Sequence, residues 1–164
     1  MLIIRSLAAV VIIVAIWFVG FPALLITLRV DPFPLRPGAF RAIGLLPLVV
    51  GGWLFAWVTW TFAAVGRGTP LIFDAPARFV AIGPHRFVRN PMYVGDVLII
   101  LGEALLFESA AILVYAGVFW AAVHVLVVTL EEPRLRRRFG TSYELYCRRV
   151  PRWLPRLGGG VALD

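Results

Sequence analysis

The sequence predicts an all-α integral membrane protein with about four transmembrane helices, the last two paired as a tight hairpin, followed by a cytoplasmic C-terminal helical segment. Three observations carry that expectation. Apolar residues make up 61% of the 164 positions and mean hydropathy is +0.90, well above the roughly 45–50% apolar share of soluble domains. The apolar residues fall in runs near the ~20 residues that cross a ~30 Å hydrocarbon core. Arginines gather between and after those runs.

The first run is residues 7–28. It follows Arg5, but it is longer than a signal-peptide core and no small-residue cleavage site closes it, so it is expected to remain as a span, bent at Pro22. The second, 42–65, carries Trp53, Trp57 and Trp60 at i, i+4, i+7 spacing, a pattern that suits interfacial or helix-packing aromatics better than a ligand site. The third, 92–107, is shorter and is interrupted by Asp96 and Glu103. Only the Glu108-Ser109 turn separates it from the fourth, 110–130, and that short link is the reason for expecting a hairpin. The chain reads as one membrane domain: two scaffold spans in 1–65, a loop, hairpin and closing segment in 66–156, and a tail from 157 to 164.

All sixteen basic residues are Arg, against nine acids, for a net charge of +7. In a membrane chain such a surplus reports topology and anionic lipid headgroups first. No nucleic-acid partner is expected, because the arginines flank apolar spans and no nucleic-acid motif is present. The 66–91 connection holds Arg67, Arg78, Arg86 and Arg89; the tail holds Arg134, Arg136, Arg137, Arg138, Arg148, Arg149, Arg152 and Arg156. Both are therefore expected on the cytoplasmic side of the cell (inner) membrane, with the N-terminus inside as well, although Arg29, Arg36 and Arg41 in the 29–41 loop run against the bias. The single Cys147 excludes an internal disulfide and a thiolate cluster, and with only two His no metal site is expected.

The C-terminal segment has helical patterning of its own. Leu135 and Phe139 stand one turn apart beneath an Arg-rich face, Gly140 can end that helix, and Thr141-x-x-Glu144 has the form of a capping box for a second short helix on the membrane surface. "VPRWLPR", 150–156, cannot continue as helix past two prolines, so an extended stretch with Trp153 at the interface is expected. "GGG" at 158–160 lacks the lysine and following helix of a phosphate loop.

Polar groups at membrane depth are costly and mark candidate chemistry. Tyr93, Asp96 and Glu103 are offset by three and seven and share one helical face; His124 and Glu131, seven apart, share another. Antiparallel pairing about the turn puts Tyr93 level with His124 and Asp96 within about a turn of it. Glu103, with no cation nearby, suits a structural lock. Asp96, His124 and the Glu131-Glu132 pair lie toward the same end as the 83–91 loop, and there a site is expected.

With these residues in view, "GPHRFVRNPMYVG" at 83–95, then a helical hairpin, then "EEPRLRRRFGTSYELYCRRVPRWLP" at 131–155 resembles the membrane methyltransferase superfamily of isoprenylcysteine carboxyl methyltransferases and phospholipid N-methyltransferases, including bacterial members. The resemblance covers about residues 66–156. It implies a pocket for S-adenosylmethionine, with S-adenosylhomocysteine as product, at the cytoplasmic end of the last two helices. It also implies a C-terminal segment that closes the pocket and a lipophilic acceptor that enters from membrane lipid. Carried over by position, it implies cofactor contacts from His85, Arg86, Arg89, Asn90, Pro91, Tyr93, Glu131, Glu132, Tyr146 and Arg149, with Tyr143 and Pro151 in the closing segment. "GRGTP" at 66–70 resembles a glycine-rich element upstream of the loop. The chain has Asn90 where isoprenylcysteine enzymes usually have His, the form the phospholipid enzymes share, which tilts the acceptor away from prenylcysteine.

The residue types fit that chemistry on their own terms. A methyl donor of this kind carries an ammonium, a carboxylate, ribose hydroxyls and an adenine, which call for carboxylates, a cation or free N–H groups, and aromatic surface. Pro91 opens a helix whose free N–H groups suit an anionic group, and Arg89 suits a bidentate clamp. Methyl transfer is an in-line displacement, so positioning and water exclusion dominate. The expected catalytic residues are Arg89, Asp96, His124 and Glu132, with His124 beside Asp96 as general base if the acceptor is an amine or thiol; a carboxylate needs only orientation by Arg89. The rival readings are an NADPH-dependent membrane lipid reductase and a non-enzymatic lipid- or partner-binding membrane protein.

Overall fold

The computed structural model describes residues 12, 14–30, 38–65 and 82–155. The element "GRGTP" at 66–70, Arg5, Arg36, Arg67, Arg78, Arg156 and the 158–160 glycines lie outside them. The chain falls into two compact units, Met1–Trp53 with Gly95–Trp120 and Leu54–Val94 with Ala121–Asp164. Every regular element among the described residues is helical.

In the first unit a π-helical turn, Val14–Gly20, runs into α1, Phe21–Thr27. Pro22 sits just past the junction. An i→i+5 turn directs the Trp17 carbonyl at residue 22, and proline has no N–H to give. The Tyr115 hydroxyl donates to that carbonyl instead, at 3.2 Å. Its ring packs on Phe21, centroids 4.6 Å apart. A 3-10 turn, Gly38–Gly44, leads into α2, Leu45–Val65. α3 covers Pro91–Leu106 and α4 Ala110–Leu126.

α2 and its leading turn meet α3 in this unit backbone to backbone. A Cβ on Gly51 would stand 2.6 Å from the Gly95 carbonyl oxygen, and one on Gly102 would stand 2.7 Å from the Leu48 nitrogen. Gly44–Gly51 and Gly95–Gly102 are two pairs with the same seven-residue spacing, so the small positions of each helix line one stripe. The seam exists because glycine has no side chain to hold the backbones apart.

The four-span expectation, with its paired last spans, is overturned. Among the described residues two helices are long and apolar enough to cross a membrane, Arg41–Phe62 with 22 residues and Ala110–Phe139 with 30. α3 has 16 residues, about 24 Å at ~1.5 Å per residue, short of a ~30 Å core. Pro91 opens it, and Glu108 just beyond its end takes φ +54. The Ser109 N–H returns to the Ala104 carbonyl at 2.9 Å, closing the helix by a left-handed C-terminal motif. Ser109 then caps α4, its Oγ accepting from the Ile112 N–H at 3.3 Å. The turn therefore joins a helix shorter than a span to a longer one. The described part of the first run is also short, an apolar helix over Ile16–Thr27.

In the second unit the 3-10 turn Gly83–Arg86 opens on Gly83 at φ +56. It lies so close to α2 that a Cβ there would be 2.9 Å from Thr61 Oγ1. α4 passes through a π turn, Val127–Glu131, into α5, Glu132–Phe139. The Glu132 N–H reaches back to the Val127 carbonyl. This wider turn precedes Pro133, which cannot donate to the preceding turn, as the first one precedes Pro22. Gly140 at φ +53 ends α5 and starts α6, Thr141–Arg149. The capping box does not form: Gly140 holds the cap position and no side chain caps the helix. Tyr143, Tyr146 and Val150 form a small core with Leu135, Phe139 and Cys147. Val150 is extended, as the residue before Pro151 must be.

Candidate functional site

Glu132 organises the second unit. The side chain is 3% exposed, at the first position of α5, and three guanidinium groups converge on it. Arg152 binds bidentately, Nε to Oε1 at 2.7 Å and Nη2 to Oε2 at 3.0 Å. Arg89 Nη1 lies 3.1 Å from Oε1, and Arg136 Nη2, from one turn along α5, lies 3.6 Å from Oε2. A buried carboxylate must be paired and hydrogen-bonded to be kept ionised. These partners come from three places in the chain: the 83–90 loop, α5 and the segment after α6.

That last segment is laced across the loop. The Arg89 N–H donates to the Pro151 carbonyl at 2.8 Å, and Asn90 Nδ2 donates to the Arg152 carbonyl at 3.2 Å. Arg89 Nη1 also donates to Cys147 Sγ at 2.9 Å. The Trp153 indole Nε1 donates to His124 Nδ1 at 3.1 Å. Arg152 lies outside any helix, and its carbonyl and guanidinium both take tertiary partners. The Glu132 carboxylate holds the Arg152 guanidinium above its ordinary pKa.

A second carboxylate, Glu131, accepts from the Tyr93 hydroxyl at 2.5 Å. This corrects the expected register, which placed Tyr93 level with His124. Glu131 lies seven positions beyond His124, two helical turns further along a run that includes the Val127–Glu131 π turn. Tyr146 donates to the His85 carbonyl at 2.7 Å; burial pushes its phenol well above the usual tyrosine range and keeps the donor protonated. Burial pushes the His85 imidazole down to about 4, so it is neutral at pH 7. Its ring stands edge-on to Phe62, centroids 5.5 Å apart.

His85, Arg89, Asn90, Tyr93, His124, Glu131, Glu132 and Tyr146, all expected from the sequence, are thus bonded within one unit, and Pro91 opens α3 beside them. Arg86 and Arg149 are exposed. Asp96 belongs to the first unit, where it is 4% exposed with Oδ1 unpartnered. Glu103 lies there too, with Oε2 unpartnered. His124, the expected general base, accepts from Trp153 at Nδ1. Three residues not expected at the site are bonded into the same cluster: Arg152, Cys147 and Trp153. The signal available for Arg152 and Trp153 was the pair of prolines around "RWL", which keeps that stretch out of helix, here as a series of bends, and leaves its polar groups for tertiary partners.

Chemically, the cluster sets three cations against one carboxylate and leaves two buried nitrogens, Arg89 Nε and His85 Nδ1, without hydrogen-bond partners among the described residues. Buried polar atoms of this kind call for a ligand or water. The surplus positive charge suits an anionic group, and the two carboxylates suit an ammonium or hydroxyls. Among the described residues no three His, Cys, Asp or Glu side chains are grouped to hold a metal ion.

Comparison with known proteins bears on the same stretch. A family model described as phospholipid methyltransferase matches residues 40–142. A methanethiol S-methyltransferase from Crocosphaera subtropica is 36% identical over 91 residues, 55% of this chain and 32% of that protein. The nickel-cobalt-cadmium resistance protein NccN of Alcaligenes xylosoxydans xylosoxydans is 29% identical over 100 residues, 59% of this chain and 46% of that protein. The protein-S-isoprenylcysteine O-methyltransferase of Schizosaccharomyces pombe is 36% identical over 77 residues, 46% of this chain and 32% of that protein. The chain spans less than half the length of these relatives.

Proposed function

The chain belongs to the phospholipid methyltransferase family, and from that premise we propose that it transfers the methyl group of S-adenosylmethionine to a small lipophilic acceptor carried in the membrane. The observation that carries the reading is the buried Glu132 with Arg89 and Arg152 on its two oxygens; Glu132 and Arg89 are positions the family resemblance marks. The bound cofactor supplies an activated methyl on a sulfonium, with a neutral thioether as leaving group. The chain supplies the rest. Arg89 and Arg152 hold the cofactor's carboxylate, Glu131 and Glu132 its ammonium or ribose hydroxyls, and His85 and Tyr146 the adenine end. The unpartnered Arg89 Nε and His85 Nδ1 are the atoms such a ligand satisfies. The 150–155 segment keeps water from the reacting groups.

Two relatives are named for methyl transfer to sulfur and to oxygen of sulfur-containing acceptors, which supports a small apolar acceptor bearing a thiol, amine or carboxylate. The arginine distribution supports a cytoplasmic site, with the 66–91 loop and the C-terminal segment on that side of the membrane. Calorimetric titration of the detergent-purified protein with S-adenosylmethionine, S-adenosylhomocysteine and NADPH tests the reading. Binding of the first two is expected, and Arg89→Ala should abolish it. Binding of NADPH alone would make the protein a reductase, and binding of none would remove both enzymatic readings. A radiolabelled methyl donor offered with total lipid extract then identifies the acceptor.

A further inference from the structure

The helical run Ala110–Phe139 is longer than a membrane core requires. Residues 110–130 hold no Arg and no acid, and at ~1.5 Å per residue they match a ~30 Å hydrocarbon core by themselves. The exposed side chains at their far end include Val125, Val128 and Leu130, and the Thr129 hydroxyl donates back to the Val125 carbonyl, as a group facing lipid must. α5 adds about 12 Å of further helix, enough to pass through the headgroup layer. There the exposed side chains change at once to arginine, at 134, 136, 137 and 138. α6 packs Tyr143, Tyr146 and Val150 on Leu135 and Phe139 of α5. Its opposite face carries Leu145 with Arg148 and Arg149 three and four positions on, all exposed. Leu145 is 50% exposed and Leu154, just past α6, 80%, which leaves two leucines uncovered beside the arginines.

We propose that the outer surface of α5 and α6 docks on anionic phospholipid: Arg137, Arg148 and Arg149 bind headgroup phosphates while Leu145 and Leu154 enter the acyl boundary. The inference goes beyond the methyltransferase reading and stands without it. Charge complementarity supports it first. Arg137, Arg148 and Arg149 take no ion-pair partner among the described residues, and the exposed acid of the two helices is Glu144. A phosphate offers guanidinium both charge and acceptor oxygens. The leucines then choose between polyanions: apolar side chains among arginines suit a helix lying in a membrane surface, where leucine meets acyl chain and the arginine stems reach up to the phosphates. A soluble acidic partner gives Leu145 and Leu154 nothing to enter. The docking also bears on the closing segment, because Val150 belongs to the core beneath α6 and Arg152, two residues on, grips Glu132. A lipid seat under α6 and Leu154 therefore steadies the chain on both sides of Arg152.

The deciding experiment uses the full-length protein in phosphatidylcholine vesicles that carry a trace of spin-labelled phosphatidylglycerol or spin-labelled phosphatidylcholine. At about 0.1 M salt the protein should retain the anionic probe roughly 5- to 25-fold more strongly than the neutral one, at about fivefold for each engaged arginine. The preference should collapse at about 1 M salt. Arg137→Gln with Arg148→Gln, two changes at exposed positions, should lower it at least about fivefold. Amide exchange over Thr141–Arg149 should slow about tenfold when phosphatidylglycerol makes up about a third of the vesicle, and Leu145→Gln should remove most of that protection. No preference for phosphatidylglycerol in the unmodified protein overturns the proposal, as does a preference that survives high salt or the paired substitution. Retention of soluble polyglutamate without a phosphatidylglycerol preference also overturns it and gives the surface to an acidic protein partner.

Discussion

Replacing Gly51 by alanine puts a methyl carbon 2.6 Å from the Gly95 carbonyl oxygen and 2.9 Å from the Ile99 nitrogen, both backbone atoms that no rotamer change can move. The closest comfortable carbon–oxygen approach is about 3.3 Å, so α2 and α3 must part by roughly 0.7 Å. Overpacking of this kind costs about 1–3 kcal/mol. Alanine returns about 1 kcal/mol through its helix propensity, which leaves a net loss of roughly 0–2 kcal/mol. Gly52 is the control supplied by the same helix, because a Cβ there meets nothing within 4 Å. Gly52→Ala should therefore gain about 1 kcal/mol. At about 2–4 °C per kcal/mol for a chain of this size, the adjacent substitutions should separate by roughly 2–12 °C in thermal unfolding of the detergent-solubilised protein. Equal shifts of the same sign for Gly51→Ala and Gly52→Ala would refute the backbone seam.

Glu132→Gln leaves buried guanidinium groups facing a neutral amide and should destabilise by about 3–5 kcal/mol; Arg136→Gln, whose side chain is 52% exposed, should cost less than about 1 kcal/mol, and equilibrium unfolding in denaturant compares the two. Tyr93→Phe removes the donor to Glu131 and should lower stability by about 1–3 kcal/mol without altering helix content by circular dichroism. Because the folded pKa of His85, about 4, lies below the ordinary imidazole value of 6.5, the unfolded chain takes up the proton first. Stability should accordingly be full above pH 6.5 and fall as pH drops from 6.5 toward 4, by up to about 3 kcal/mol. His85→Gln should flatten that pH dependence, and an unchanged slope would remove the histidine as its source.

The parts of this architecture that were legible in the chain are those set by local rules. Apolar runs marked helices over 42–65 and from 110 onward, the prolines at 91, 151 and 155 marked where helix starts or cannot continue, and Gly140 marked the break between α5 and α6. The paired motifs at 83–95 and 131–155 named most of the residues that the second unit binds together. What periodicity could not supply was register. Counting back from the turn puts His124 level with Tyr93, whereas the Tyr93 hydroxyl meets Glu131, two helical turns further along. The number of spans failed at 92–107, where the short Glu108-Ser109 link pointed to a spanning hairpin, while the backbone closes the helix after 16 residues.

By itself, then, the sequence determined the apolar helical character, the places where helices break and the identity of Arg89, Tyr93, Glu131 and Glu132 as polar residues between apolar runs. Composition, proline and glycine act within a few residues of themselves, and that is why these features could be read in one dimension. Only the tertiary structure decided which partner each polar group takes. Arg152 lies 20 residues from Glu132, Trp153 lies 29 from His124, and Cys147 lies 58 from Arg89. A hydrogen bond depends on distance in space, which chain separation does not encode.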